Sequence, residues 1–170
     1  NMVTDIDSIR ASIADFAASC ANKLRGQHSL AGSVTVFIMN NRFREDLSQY
    51  SNAMTLPLPM PTSDTIEITK AALSIVKKIF RRGISYKKAG VILGNITDAS
   101  AIQQNLFDEI KNRPQRIQLM KNIDKLNHRF GLKSIRLAVE GEDKQAWHSK
   151  SEYKSGNYLS DINEILTIKI

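Results

Sequence analysis

Apolar residues in the first part of the chain recur every three or four positions. Ile6, Ile9, Ile13, Phe16, Ala17, Cys20 and Leu24 make one stripe, the spacing of a helix with a single buried face. Thr4 or Asp5 supplies its N-cap, and Lys23, Arg25 and Gly26 close it. The pattern then changes. Ser33 to Met39, with Val34, Val36, Phe37 and Ile38, is β-branched and aromatic and predicts a strand with at least one covered face. Over residues 53–60, Met54, Leu56, Leu58 and Met60 alternate with Thr55, Pro57 and Pro59. That is a period of two, and because proline cannot donate to a ladder the strand belongs at an edge or is irregular.

Asp64 and Glu67 form a capping-box pattern before a second helix that carries Ile66, Leu73, Val76, Ile79 and Phe80, with its end expected at Gly83 after Arg81-Arg82. Tyr86 to Ile96 reads as a third strand headed by Lys87-Lys88. The order helix, strand, strand, helix, strand predicts an α+β fold, with two helices packed on one face of a small, mostly antiparallel sheet and the other face open. A polar stretch follows, broken at Asn112-Arg113-Pro114. Ile117, Leu119, Met120, Ile123, Leu126 and Phe130 then predict another amphipathic helix closed by Arg129 and Gly131, and Ile135, Leu137 and Val139 alternate as a short strand. Glu140-Gly141-Glu142-Asp143 reads as a solvated acidic turn. From Trp147 to Tyr158 the chain is aromatic, basic and irregular, and it ends on Ile165 to Ile170. Such a tail is expected to lie against another surface, either the earlier domain or a partner. The division expected is a domain over 3–98, a linker over 99–113 and a smaller helix-plus-strand extension over 114–170.

At 170 residues and 42% hydrophobic, the chain can hold one sizeable core and an appendage. No apolar run approaches the roughly 18 to 20 residues of a membrane span, so no membrane association is expected. The single cysteine, Cys20, cannot form an internal disulfide, which suits a reducing, cytoplasmic setting. The net charge of +7 is shared, with twelve basic against eight acidic residues over 1–102 and twelve against nine over 103–170. That balance favours an anionic partner such as nucleic acid, and it also serves solubility.

The candidate chemistry is recognition rather than catalysis. Asp5 and Asp7 have the spacing of a metal-binding pair, but acidic residues in a first helical turn complement the helix dipole unaided. His28, His128 and His148 stand apart from any Cys or carboxylate cluster, and no phosphate-cradling Gly loop or nucleophile motif is present. Asn40, Asn41, Arg42 and Arg44 bracket Phe43 in a loop that could hold a phosphate backbone or simply be solvated. With Arg81, Arg82, Lys87 and Lys88 they are the candidate DNA-binding residues, and the open sheet face with Arg42, Arg44, Lys87 and Lys88 at its rim is the expected working surface. Gln103-Gln104-Asn105-Leu106-Phe107-Asp108 has the look of a docking peptide, with Leu106 and Phe107 as anchor and Gln103 hydrogen-bonding at the pocket mouth. The alternative is a turn folded back onto its own core.

Taken together, these segments resemble the C-terminal part of a bacterial UmuC-type, Y-family translesion DNA polymerase, over nearly the whole chain. The little-finger domain of that family is suggested by Ala21-Asn22-Lys23-Leu24-Arg25, by Phe37-Ile38 leading to Asn40-Asn41-Arg42-Phe43, by Tyr50-Ser51-Asn52-Ala53 and by Tyr86-Lys87-Lys88-Ala89-Gly90-Val91. Gln103, Gln104, Asn105, Leu106 and Phe107 are similar to the family's sliding-clamp-binding motif, in the expected place. Leu119-Met120 to Leu126-Asn127, Arg136-Leu137-Ala138 and the Trp147 region resemble its C-terminal extension. Two positions depart from the family: Arg42 stands where a proline usually precedes the phenylalanine, and Ser149-Lys150-Ser151 is poorer in arginine than usual.

The resemblance implies primer-template DNA and the sliding clamp as partners, with UmuD-type accessory subunits and RecA beside them, in SOS-linked DNA repair. It implies no cofactor in these residues, the catalytic Mg2+ belonging to a palm domain in the N-terminal part of such enzymes. It also implies that the first strand of the little finger lies upstream of Thr4, leaving a sheet edge for another copy or for Ile165 to Ile170 to fill. Two other readings remain: a protein-interaction module with incidental nucleic-acid binding, and an RNA-binding α+β domain, for which Phe37 alone is a stacking candidate.

Overall fold

The computed structural model describes residues 2–44, 46, 48–101 and 112–141. In order these form α1 (Ile6–Gly26), β1 (Ser29–Asn40), β2 (Ser51–Thr62), α2 (Thr65–Ile79), β3 (Tyr86–Asp98), a single 3-10 turn at Ala99–Ala101, α3 (Arg113–Phe130) and a second 3-10 turn at Ala138–Glu140. The three strands form one antiparallel sheet in the order β2-β1-β3. The fold is α+β, as the periodicities predict. The proline-bearing strand β2 is an edge strand.

One face of the sheet is covered by helices. Val34, Val36 and Ile38 of β1 are fully buried, and the register sets Val36 between Met54 of β2 and Val91 of β3, and Val34 between Leu56 and Leu93. Helix α1 contributes Ile9, Ile13, Ala17, Ala21 and Leu24 to this core, and α2 contributes Ile68, Ala72, Ile75, Val76 and Ile79. α1 lies over β3 and β1, and α2 lies over β2 and β1. Each large aliphatic side chain removed from water here contributes about 1.5–3 kcal/mol before entropy is counted. The opposite face carries Thr35, Thr55, Phe37, Lys88 and Ile92, with the two threonine hydroxyls hydrogen-bonded at 2.8 Å. This is the open face that the alternation predicts.

Local chemistry fixes the element ends. Asp5 caps α1 by accepting from Ser8 N at 2.7 Å, and Asp64 caps α2 by accepting from Ile66 N and Glu67 N at 2.8 and 3.2 Å. α2 stops at Ile79, four residues before Gly83, because Phe80 is already extended and its ring packs against Tyr86 at 5.6 Å between centroids. Gly83, at φ +83°, then turns the chain, a conformation that costs glycine little.

Two expectations after α3 need correction. Residues 135–139 form no strand. Asn127 takes both backbone groups of Ile135, donating to its oxygen at 2.9 Å and accepting from its nitrogen at 2.7 Å, and the chain then coils into the 3-10 turn. An amide side chain here supplies the pairing that a neighbouring strand would have offered. Nor is Glu140 part of a solvated turn: it is 5% exposed and accepts from Leu137 N at 2.9 Å. Ahead of α1, Val3 and Tyr86 form a reciprocal antiparallel bridge in which Val3 N donates to Tyr86 O at 2.9 Å and Tyr86 N donates to Val3 O at 2.8 Å. Ile165 to Ile170 lie outside the described residues.

Candidate nucleic-acid interface

The end of β1, the start of β2, the end of α2 and the start of β3 all meet at one end of the sheet. Asn40 pairs with Tyr86 and Met39 with Lys88, so β3 holds one extra residue, Lys87, opposite the Met39–Asn40 step. A bulge of this kind bends the strand and re-aims its side chains. Lys87 and Lys88 are both exposed.

An aromatic corner anchors this end. The Tyr50 hydroxyl donates to Ile79 O at 2.5 Å and accepts from Asn52 Nδ2 at 3.1 Å, closing the C-terminus of α2. The Tyr86 ring meets Tyr50 edge-on at 6.0 Å. The Tyr86 hydroxyl accepts from Arg81 N at 2.8 Å and donates to Arg81 O at 3.0 Å, so one phenol fixes both backbone groups of Arg81. Burial pushes this phenol up from its ordinary value of 10.0, and the Arg81 backbone bond only partly offsets it. The Arg81 guanidinium lies over the Tyr50 ring at 5.0 Å, an attractive geometry for a cation on a π face.

The predicted residues divide by what already engages them. Asn40 is 5% exposed; it donates to Ser48 O at 2.7 Å and accepts from Tyr50 N at 3.2 Å. It shapes the loop between β1 and β2 from inside. Asn41 accepts from Phe43 N at 3.2 Å, turning the loop so that Phe43 is 84% exposed. Arg44 makes a two-bond pair with Asp46 at 2.6 and 2.5 Å, and each holds the other charged: the side-chain bond pushes the arginine up and the aspartate down. Its charge is therefore locally balanced. Arg42, Arg82, Lys87 and Lys88 are exposed. Lys77 and Lys78, exposed in the last turn of α2, stand at the same end. They are not among the candidates named from the sequence, and cations in a last helical turn also complement the helix dipole. Phe37, the stacking candidate, packs over Gly90: a Cβ built at Gly90 would come within 2.4 Å of its ring.

Away from this end, α3 is fastened to the helix layer by charge. Arg116 gives two hydrogen bonds to Asp64, at 2.8 and 2.7 Å, and Arg25 gives two to Asp124, at 2.6 and 2.8 Å. Arg25 also reaches Ser63 O at 2.6 Å, and Lys133 pairs with Asp15. Gln103, Gln104, Asn105, Leu106 and Phe107 lie outside the described residues, as does Trp147. Among the described residues no three His, Cys, Asp or Glu side chains gather as a metal site, and no helix is long and apolar enough to cross a membrane.

Residues 1–106 match the impB/mucB/samB family C-terminal domain, and residues 118–168 match a domain of unknown function, DUF4113. The chain is 34% identical over 167 residues to Protein UmuC of Salmonella typhimurium, covering 98% of this chain and 39% of that protein. It is 34% identical over 163 residues to Protein ImpB of Salmonella typhimurium, covering 96% and 38%. Protein MucB of Escherichia coli is 29% identical over 163 residues, covering 96% and 38%. The chain thus spans about 39% of the length of the curated relatives it matches. With more than half of its residues in that match, the chain belongs to the impB/mucB/samB C-terminal domain family.

Proposed function

We propose that this chain is the DNA-holding and clamp-tethering region of an error-prone translesion DNA polymerase, and that it performs no catalysis itself. The observation that supports the first part is the convergence of Arg42, Arg82, Lys87 and Lys88 at one end of the sheet, around a corner fixed by Tyr50 and Tyr86. Phosphates carry no base identity, so a backbone grip tolerates a damaged template. The tether is Gln103 to Phe107, with Phe107 as the anchor in a pocket of a sliding clamp. Such a tether raises the local concentration of polymerase at a primer end, so modest peptide affinity suffices.

The deciding experiment measures primer-template affinity against salt for wild type and for Lys87→Ala/Lys88→Ala. Each lost phosphate contact lowers the slope of log affinity against log salt by about 0.9. An unchanged slope removes these lysines from the interface. For the tether, calorimetry against purified clamp should show Phe107→Ala losing about 2 kcal/mol, roughly thirtyfold in affinity. Equal affinities would end that part of the proposal.

The exposed apolar residues of α3, Ile117, Leu119, Leu126 and Phe130, favour a second reading, a module that binds proteins and touches nucleic acid incidentally. Weak DNA binding that ignores salt would select it.

A further inference from the structure

α3 packs on the domain with its polar side. The residues it turns toward the helix layer include Arg116 and Asp124, held in ion pairs, and among the described residues of α3 Met120 alone is buried. Its apolar stripe, Leu119, Ile123, Leu126 and Phe130, falls on an adjoining side and stays largely open, with Phe130 65% exposed. Beyond the helix, Leu132 is 92% exposed and Ile135 is also exposed. Beside them, between α1 and α3, runs a groove of about 310 Å³ lined by Ala18, Met120, Ile123, Leu132, Ile135 and Leu137. Ordinary surface helices bury their apolar stripe and expose their charges. Here that arrangement is inverted, and an apolar surface of this extent has a partner to find.

The geometry points to the chain's own following segment, residues 142–158, as the cover of this groove and stripe, with Trp147 as its anchor. Three observations favour that occupant. The match over 118–168 begins inside α3 and runs past Gly141, so helix and following segment belong to one unit, which the described helix alone cannot close. Glu140 lines the groove, so the chain leaves the described structure beside it. Trp147 is six residues beyond Gly141, within about 20 Å of extended chain, and α3 itself is only about 27 Å long.

Trp147 is the chain's one tryptophan, so its fluorescence reports the contact directly. In the 170-residue chain at low concentration, emission should be blue-shifted and shielded from acrylamide. Leu126→Lys and Leu132→Lys alter exposed positions and should leave far-UV circular dichroism intact while shifting emission to the red and raising quenching. Solvent-like emission in the wild type, or emission that neither substitution changes, overturns the assignment. So does a blue shift that grows with protein concentration alongside a doubling of mass in sedimentation, because a second copy would then be the cover.

Discussion

Asp64 and Arg116 are joined by two hydrogen bonds at 2.8 and 2.7 Å, and the same carboxylate caps the first turn of α2. One side chain thus starts a helix of the domain and secures α3 against it. The two roles can be separated by substitution. Asp64→Asn keeps an efficient cap but loses the charge, and should cost about 1–2 kcal/mol in urea denaturation. Asp64→Ala loses the cap too, a further cost of about 1 kcal/mol. Arg116→Met should resemble Asp64→Asn rather than Asp64→Ala. If all three cost the same, the cap contributes nothing separable.

Two carboxyls give the fold opposite responses to pH. Burial alone raises the Asp64 carboxyl, but Arg116 and the α2 N–H groups outweigh it and hold it below its ordinary 3.8. A depressed value means stability present above 3.8 and lost as pH falls through the folded value. Burial, with Asp15 nearby, raises Glu140 above its ordinary 4.5, against the pull of Leu137 N, Lys133 and Arg136. Its penalty is absent below 4.5 and complete once pH passes the raised value. Glu140→Gln should therefore raise the melting temperature at neutral pH, with the gain vanishing in acid. The Asp64→Asn deficit should likewise close in acid, at lower pH. Melting curves from pH 3 to 8 test both, and a Glu140→Gln gain that persists in acid would contradict the burial argument.

Tyr86→Phe removes a hydroxyl without removing charge. It leaves Arg81 N and O without their partner, a cost of about 1–3 kcal/mol. DNA affinity should fall because the loop that presents Arg82 loosens, while the salt slope stays at the wild-type value. A changed slope would mean that a phosphate contact had been lost as well.

Phe37 and Gly90 should show coupling. A methyl at Gly90 would meet the Phe37 ring at 2.4 Å, so Gly90→Ala forces the ring off the sheet, at about 1–3 kcal/mol. In a Phe37→Ala background the methyl meets no ring and the cost should largely disappear. Additive losses in a double-mutant cycle would show that the ring is not what excludes a side chain there.

The α+β layout was legible because its elements declare themselves locally. The three-to-four spacing of Ile9, Ile13 and Ala17, the alternation from Met54 to Met60, and the Asp64 cap each specify one element without help from the rest. The prolines of β2 even specified its place in the sheet. What failed was decided at a distance. Alternation at Ile135, Leu137 and Val139 looked like a strand until Asn127 took Ile135's backbone groups. Glu140 looked solvated until α1 and Lys133 surrounded it. The apolar stripe of α3 implied burial of that face, whereas Arg25 and Asp64 oriented the helix by its charges. At the candidate interface, the basic residues were readable as types. That Asn40 faces inward, and that Asp46 balances Arg44, needed the loop's own geometry.

The prolines of β2 have a consequence for how copies of this molecule can meet. Pro57, Pro59 and Pro61 occupy alternate positions, so their nitrogens face one way, away from β1, and that half of the border lacks donors, while Ser51, Ala53 and Thr55 keep theirs. On the other border, among the described residues β3 meets Val3 alone. Sheet extension is therefore biased toward the β3 side: two molecules joined through β3 would present borders interrupted by proline, which works against growth from a pair into a fibril.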